Sequence, residues 1–500
     1  MNASHETIVP EQDLLLELRR KVYPRSVSGV FARWRWTMVW LTQLVFYGLP
    51  WLSWPPLAGS WGEGGRQAVL FDLGARKFYL LGIVLYPQDF VYLTLLLLIA
   101  ALSLFLFTTV AGRVWCGYAC PQTVYTEIFL WIERRIEGER GRRMALDAEP
   151  WSAKKVRMKA AKQAAWMAVA LWTGITFVGY FTPIRTLMHE LATFTLTPWE
   201  LFWIGFYAFA TWGNAGFLRE QVCKYMCPYA RFQGVMFDRD TWVVTYDPGR
   251  GEPRGRSVKR GAALPPSAPL GDCIDCGLCV QVCPTDIDIR DGQQYECIGC
   301  AACIDACDKV MDKVGRPRGL IRYDTLRGLE MAAPTPAGRS GAGATVATAS
   351  VASRWRTLLR ARVLVYSAVL LAICGASTLG IATRSPVKLD VVRDRGALLR
   401  EVKNGVIENV YRLQVTNGVE RARRFVIGAD GLPGLGIDSA PEFEVAGTER
   451  RSVGVRLRAP PDAGEAGSNR IRISVRALDD PDAVATSGAT FFLPDTRGSR

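Results

Sequence analysis

Five apolar blocks set the limits on how this 500-residue chain can fold. They run from about Trp36 to Trp54, Tyr86 to Val110, Gln163 to Phe181, Trp199 to Leu218 and Arg362 to Ala382. A helix crossing a bilayer needs ~20 apolar residues, so each block reads as a membrane span. The first is not read as a cleaved signal peptide, because it starts late, is rich in Trp and has no small-residue cleavage site behind it. Trp36, Trp51, Trp54, Trp166 and Trp199 stand near block ends, where an interfacial aromatic belt belongs.

Loop charge orients the blocks. Residues 111–162 carry 11 Lys and Arg, residues 55–85 carry three, and residues 183–198 carry only Arg185. Basic loops stay in the cytoplasm. With Arg19, Arg20, Lys21, Arg25, Arg33 and Arg35 inside, five crossings put residues 219–361 inside and the C-terminal region outside. The net charge of +14 sits largely beside the apolar blocks, where anionic lipid accounts for it, so no nucleic-acid partner is expected.

Twelve of the 13 cysteines fall in segments that this topology places in the cytoplasm or at its membrane face, which argues against disulfides. Cys273-x-x-Cys276-x-x-Cys279-x-x-x-Cys283-Pro284 has bacterial ferredoxin spacing, and Cys297, Cys300, Cys303 and Cys307 repeat it 24 residues later. In such paired runs three thiolates hold one [4Fe–4S] cluster and the fourth reaches across to the other. The expected ligand sets are Cys273, Cys276, Cys279 and Cys307 for one cluster, and Cys297, Cys300, Cys303 and Cys283 for the second. Zinc also uses paired C-x-x-C, but as one four-ligand site and not two interlocked runs. Asp308 follows Cys307 where the usual pattern has Pro, a departure expected to touch the local turn or the cluster potential and not the ligation.

Two further pairs, Cys116-x-x-x-Cys120-Pro121 and Cys223-x-x-x-Cys227-Pro228, share the frame C-x-Y-x-C-P after the second and fourth blocks and read as an internal repeat. On a helix, positions i and i+4 share a face, so each pair is able to aim two thiolates at a common point. Pro121 and Pro228 imply a backbone broken or freshly started at each pair. Soft thiolates select Cu(I), zinc or iron–sulfur centres, and a site preferring Cu(I) pulls Cu(II) toward reduction. Met226 offers a thioether. The competing reading is that these cysteines are small packing residues, which is also the reading for Cys374.

The only histidines are His5 and His189, which excludes a bis-histidine membrane haem. No strand followed by G-x-G-x-x-G occurs, so nicotinamide is not the donor, and electrons must arrive from a protein or a quinol. Residues 332–353, mostly Ala, Gly, Ser, Thr and Pro, read as a tether. After Thr383 the pattern turns to period two: Asn404-Gly405 and Asn417-Gly418 bracket Tyr411, Leu413 and Val415. Further short runs at Arg424–Ile427, Ser452–Leu457, Arg470–Val475 and Thr490–Leu493 suggest a small immunoglobulin-type sandwich for docking or scaffolding.

The expected organisation is therefore a cytoplasmic N-terminal segment (1–35), a four-helix membrane domain (36–218) and a cytoplasmic region (219–331) with the ferredoxin domain at about 270–315. A linker (332–361), a fifth transmembrane helix (362–382) and a periplasmic immunoglobulin-like domain (383–500) follow. The fold class is a polytopic α-helical membrane protein with an inserted double-cluster ferredoxin domain and a C-terminal β-sandwich.

The sequence closely resembles the FixG/CcoG/RdxA family of accessory factors for assembling cbb(3)-type cytochrome c oxidase. The resemblance rests on Tyr23-Pro24-Arg25, Tyr86-Pro87-Gln88-Asp89, the run Gly112 to Gln122, the run Asn214 to Cys223 and the whole double ferredoxin stretch. It implies a cupric reductase of the bacterial inner membrane that passes electrons through two clusters to Cu(II), with copper as substrate at Cys116, Cys120, Cys223 and Cys227. It also implies copper transporters or chaperones and oxidase assembly factors as partners. A homodimer and the identity of the electron donor stay open. The residues themselves do not choose copper. A quinol-oxidising conduit to a periplasmic reductase and a non-catalytic assembly scaffold are the alternatives.

Overall fold

The computed structural model describes residues 21–54, 66–81, 83–86, 89–255, 270–332, 359–383, 385–394, 399–402, 405–419 and 421–494. His5, the Pro87-Gln88 dipeptide, Asn404 and nearly all of the expected linker lie outside them. The chain divides into two units, residues 1–374 and 375–500.

The apolar blocks form α1 (Val30–Gly48), α2 (Phe90–Ala111), α5 (Ala153–Val178) and α6 (Pro198–Thr211) in the first unit, and α9 (Ala361–Ala382), within which the division falls. Between them stand α3 (Val114–Tyr118), α4 (Pro121–Glu137), α7 (Pro228–Met236) and α8 (Ala302–Val314). Among the described residues, two helices are long and apolar enough to cross a membrane, Phe90–Ala111 and Ala361–Ala382. The other three fall short for local reasons. Helix α1 carries Arg33 and Arg35. Helix α5 begins ten residues before the apolar block, because Ser152 accepts a hydrogen bond from the Lys155 amide (3.2 Å) and starts a Lys-rich first stretch. Helix α6 ends at Thr211, and the chain continues as a wider π turn from Trp212 to Leu218.

Glycines bring these helices into backbone contact. A Cβ on Gly174 of α5 would lie 2.5 Å from the Ile204 carbonyl of α6, and one on Gly216 in the π turn would lie 3.1 Å from the Trp166 ring. Trp166 is not interfacial as its position in the sequence suggested. It is 2% exposed, stacks on Phe129 at 5.2 Å and donates its indole N–H to the Phe129 carbonyl (3.0 Å). The tertiary fold claims it because three elements converge there.

Beside that core lies a buried ion network. Glu133 of α4, whose side chain is fully buried, pairs with Arg219 (2.9 Å), Arg143 (3.2 Å) and Lys162 (3.7 Å), while Glu137 pairs with Lys159 and Lys162 at 2.9 Å each. Burial pushes the Glu133 carboxyl up, but Arg219, Lys162, Arg143 and Lys21 outweigh it and hold the carboxyl below its ordinary value.

The second unit is a two-sheet antiparallel sandwich. One sheet runs Gly436–Ile437, Arg450–Ala459, Ile407–Asn417, Val387–Arg393, with Arg400–Glu401 added on Ile407–Asn417. The other runs Glu442–Val445, Arg423–Asp430, Gly467–Ala477, Val484–Leu493. Alternate residues face inward, as the period-two pattern requires: Tyr411, Leu413 and Val415 from one sheet and Ile471, Ile473 and Val475 from the other are buried.

Glu133→Ala would leave Arg143 and Arg219 buried without their anion, a loss of about 3–5 kcal/mol. Thermal unfolding in detergent should show it as a large fall in Tm. Lys21→Ala, which removes a half-exposed partner 3.9 Å away, should cost under ~1 kcal/mol. Because the folded carboxyl titrates below its unfolded value of about 4.3, the stabilisation is complete above that pH and is lost as pH falls. The Tm gap between Glu133→Ala and the wild type should narrow on acidification.

Candidate iron–sulfur and thiolate centre

The two long cysteine runs fold alike. In each, left-handed residues flank the middle cysteine: Asp275 (φ 52°) and Gly277 (64°) around Cys276, Gly299 (67°) and Ala301 (58°) around Cys300. These residues turn the backbone sharply on both sides of the middle cysteine, and Ala301 and Asp275 accept a conformation that glycine adopts more readily. The fourth thiols come from elsewhere. Cys283 follows the short helix Leu278–Gln281, and Cys307 lies inside α8.

Charge proximity sorts the eight into two sets. Cys307 lies beside Cys279, Cys273 and Cys276. Cys303 lies beside Cys300, Cys297 and Cys283, and more weakly feels Cys279 of the other run. Cys279, Cys283, Cys297, Cys300 and Cys303 line one enclosed cavity with Val244, Ile287 and Ile298. Among the described residues no three His, Cys, Asp or Glu side chains close on one point as a single ion demands. Two interlocked four-cysteine runs fit a pair of [4Fe–4S] clusters better than the one four-ligand site that zinc takes. Burial pushes Cys279 up to about 11 and Cys297 and Cys307 up to about 12, and an iron centre held there would favour their thiolate form.

Asp308 has a visible consequence. Helix α8 runs through it to Val314, and its carboxylate accepts the Gly319 amide (3.0 Å). Burial pushes the Asp308 carboxyl up.

The membrane-face pairs are not built as i, i+4 positions of one helix. Cys116 lies in α3, but Cys120 has extended backbone (φ −61°, ψ 128°) and caps α4, with Pro121 as its first residue. Cys223 lies in a π turn, Val222–Met226, and Cys227 (φ −81°, ψ 107°) caps α7, with Pro228 first. The proline that cannot continue a helix is favoured as the first residue of the next, which is why each pair straddles a break.

All four thiols nevertheless sit within mutual electrostatic reach. Burial, then Cys120, pushes Cys116 up to about 11, and burial, then Cys120, Cys116 and Cys227, pushes Cys223 up to about 12. Gln122, two residues after Cys120, donates to the carbonyls of Asn214 (2.9 Å) and Arg219 (3.0 Å), in and just after the π turn that precedes Cys223. Cys116 Sγ donates to Oε1 of the fully buried Gln233 (3.3 Å), whose Nε2 reaches Thr108 (3.3 Å). Met226 is 59% exposed, and Cys374 is half-buried in α9.

The membrane-face thiols touch the second long run. Cys116 and Cys223 pack in one apolar cluster with Cys300 and Cys303. Sequence reasoning missed the residues that arrange this, namely Arg113, Gly117, Gln233 and Tyr323, whose hydroxyl donates to the Gly299 carbonyl. Arg113 and Gly117 flank Cys116 in the quoted run and were open to notice. Gln233 carries no sequence signal.

Three family models match the chain: a 4Fe-4S binding domain over residues 93–138, a 4Fe-4S dicluster domain over 218–326, and the IG-like fold at the C-terminal of FixG over 378–494. The chain is 42% identical to the nitrogen fixation protein FixG of Rhizobium meliloti, over 84% of this chain and 81% of that one. It is 40% identical to protein RdxA of Cereibacter sphaeroides, over 83% and 84% of the two chains. The crystal structure of a FixG-related protein from Vibrio parahaemolyticus aligns with 22% of this chain and 98% of its own, at 21% identity and a TM-score of 0.20. With ferredoxin-type 4Fe-4S domains, an immunoglobulin-like C-terminal domain and this identity over most of its length, the chain belongs to the FixG family.

Proposed function

We propose that this iron–sulfur oxidoreductase reduces Cu(II) to Cu(I) for the copper centre of a cbb(3)-type oxidase. The single observation that carries the reading is that Cys116 and Cys223, one from each membrane-face pair, pack on the apolar cluster that holds Cys300, a cysteine of the second long run. Cys273, Cys276, Cys279 and Cys307 would hold one [4Fe–4S] cluster and Cys283, Cys297, Cys300 and Cys303 the other, and each cluster, once reduced by a protein or quinol donor, would supply one electron at a time. Each Cu(II) takes up one.

The chain's own residues do the rest. The four thiols are electrostatic neighbours, and their softness favours the Cu(I) product. Gln233 holds the Cys116 thiol, and Gln122 joins the start of the helix after Cys120 to the turn before Cys223. Met226, exposed on the same turn as Cys223, is a candidate for handing Cu(I) onward to a chaperone.

In the same reading α1, α2, α5, α6 and α9 are five crossings of the bacterial inner membrane. The N-terminal segment and residues 219–361 face the cytoplasm, and the sandwich faces the periplasm, where it docks an assembly partner. Its lack of Cys and His suits docking and not chemistry.

Purified protein reduced with dithionite and then freed of excess reductant should reduce Cu(II), and Cys116→Ser and Cys227→Ser should lower the rate by on the order of tenfold or more. Both variants should keep the about eight irons that two four-iron clusters require. Unchanged reduction removes the thiol site and leaves a conduit or a scaffold. Cys307→Ser should release about four irons, and retention of all eight would break the ligand assignment. A reporter fused after Asp272 should be active in the cytoplasm and one after Thr383 in the periplasm. The reverse pattern ends the proposal.

A further inference from the structure

Arg113 occupies the turn between α2 and α3 and is 5% exposed. Its guanidinium donates to the carbonyls of Tyr295 and Cys297 (3.4 Å for the latter) in the second long run and to the carbonyl of Ala230 on α7. Its charge faces Cys116, Cys297 and Cys223 in that order. One buried cation thus touches the first thiol pair's own turn, the helix that follows the second pair and the ligand loop of one cluster set.

Two glycines bring the same parts into backbone contact. A Cβ on Gly117, next to Cys116, would lie 2.9 Å from Cys300 Cα and from the Ile298 carbonyl oxygen. A Cβ on Gly299 would lie 3.2 Å from the Arg113 backbone. The other long run has different company. Cys273 lies near Tyr246, and Cys279 near Arg290, whose charge is already paired with Asp275 and Asp288. Burying an arginine is costly unless anions or carbonyls satisfy it; here carbonyls of two other elements take Nη1 and Nη2, while the buried Nε has no hydrogen-bond partner among the described residues.

Resting on the assignment of these cysteines to clusters and on Cu(II) as substrate, we propose that Arg113 is a shared positioning residue. It seats the Tyr295–Cys300 loop on the Cys116 helix and lends one positive charge both to the membrane-face thiols and to the Cys283/Cys297/Cys300/Cys303 set. The Cys273/Cys276/Cys279/Cys307 set stands outside its influence. A cation beside a redox centre stabilises the reduced, more negative form, and its removal moves the potential downward.

The test uses the full-length protein in detergent, with Arg113→Met, Arg113→Lys and Gly117→Ala. Redox titration followed by electron paramagnetic resonance, without copper, should show one cluster of Arg113→Met moved to more negative potential and the other at the wild-type value, with about eight irons retained. Two unmoved potentials, or two that move together, overturn the proposal. Cu(II) reduction should fall about 10–100-fold in Arg113→Met. Arg113→Lys keeps the charge and loses the fork, so its potentials should stay near wild type while reduction still falls. If Arg113→Met loses iron, this variant decides, and wild-type reduction in it overturns the seating role. Gly117→Ala should speed hydrogen exchange at residues 296–300, and unchanged exchange removes the contact. Because the potentials are read without copper, a wild type that fails to reduce Cu(II) sinks the proposed substrate and not the electrostatic link.

Discussion

Gathering so many buried thiols in one region forces the placement of buried cations. A thiol taken out of water resists ionisation, and a cluster or metal held by several thiolates carries net negative charge into an apolar setting. The chain answers with arginines that are themselves mostly withdrawn from solvent. Arg35, on α1, faces Cys300, and Arg113 faces Cys116, Cys297 and Cys223. Arg290 faces Cys279 from the far set. Each comes from a different stretch of chain, so satisfying the thiols also pulls those stretches together.

The first helix shows how far that pull extends. The N-terminus of α1 has no capping side chain of its own, and Asp305 of α8 takes the role, accepting from the amides of Phe31 (3.2 Å) and Ala32 (2.7 Å). A Cβ on Gly29 would overlap the Asp305 carboxyl, so the contact also explains that glycine. The Arg25 amide adds a bond to the Gln281 carbonyl (2.8 Å), just after Cys279. A carboxylate at a helix N-terminus satisfies amides and complements the dipole. Here it also fastens the cluster-bearing segment to the start of the chain. The ion network around Glu133 continues the fastening through Arg219, four residues before Cys223.

Much of this was legible because it is local. Cysteine spacing within a run is a property of a few adjacent residues, and the alternation of Tyr411, Leu413 and Val415 is visible without knowing what they pack against. Boundaries were less so. The block from Trp199 to Leu218 reads as one helix by hydropathy, yet it widens into a π turn at Trp212, where Gly216 meets the buried Trp166. Trp166 looked interfacial because sequence shows only that it stands near a block's edge. Gln233 and Asp305 were invisible as site residues, since what makes them matter is a partner more than a hundred positions away.

Proline after cysteine is best understood as a helix-boundary device. Cys120-Pro121 and Cys227-Pro228 each place the cysteine as an extended cap, with proline as the first residue of the helix beyond, where its missing N–H costs nothing. At Cys120 the amides of Gln122 and Thr123 face the sulfur and counter its burial. Cys283-Pro284 likewise leaves the short helix before it instead of extending it. Cys307 is the exception among the fourth-position cysteines because it sits mid-helix in α8. Proline at 308 would remove a helical hydrogen bond and clash with the preceding turn, costing ~3 kcal/mol or more. Asp308 lets the helix run on and ties down Gly319 ahead of the strand Ile321–Asp324, which pairs with Val243–Tyr246 across the cysteine core. The departure from the usual ferredoxin pattern is thus the local condition for a longer helix, and that helix is the one that carries Asp305 to the start of α1.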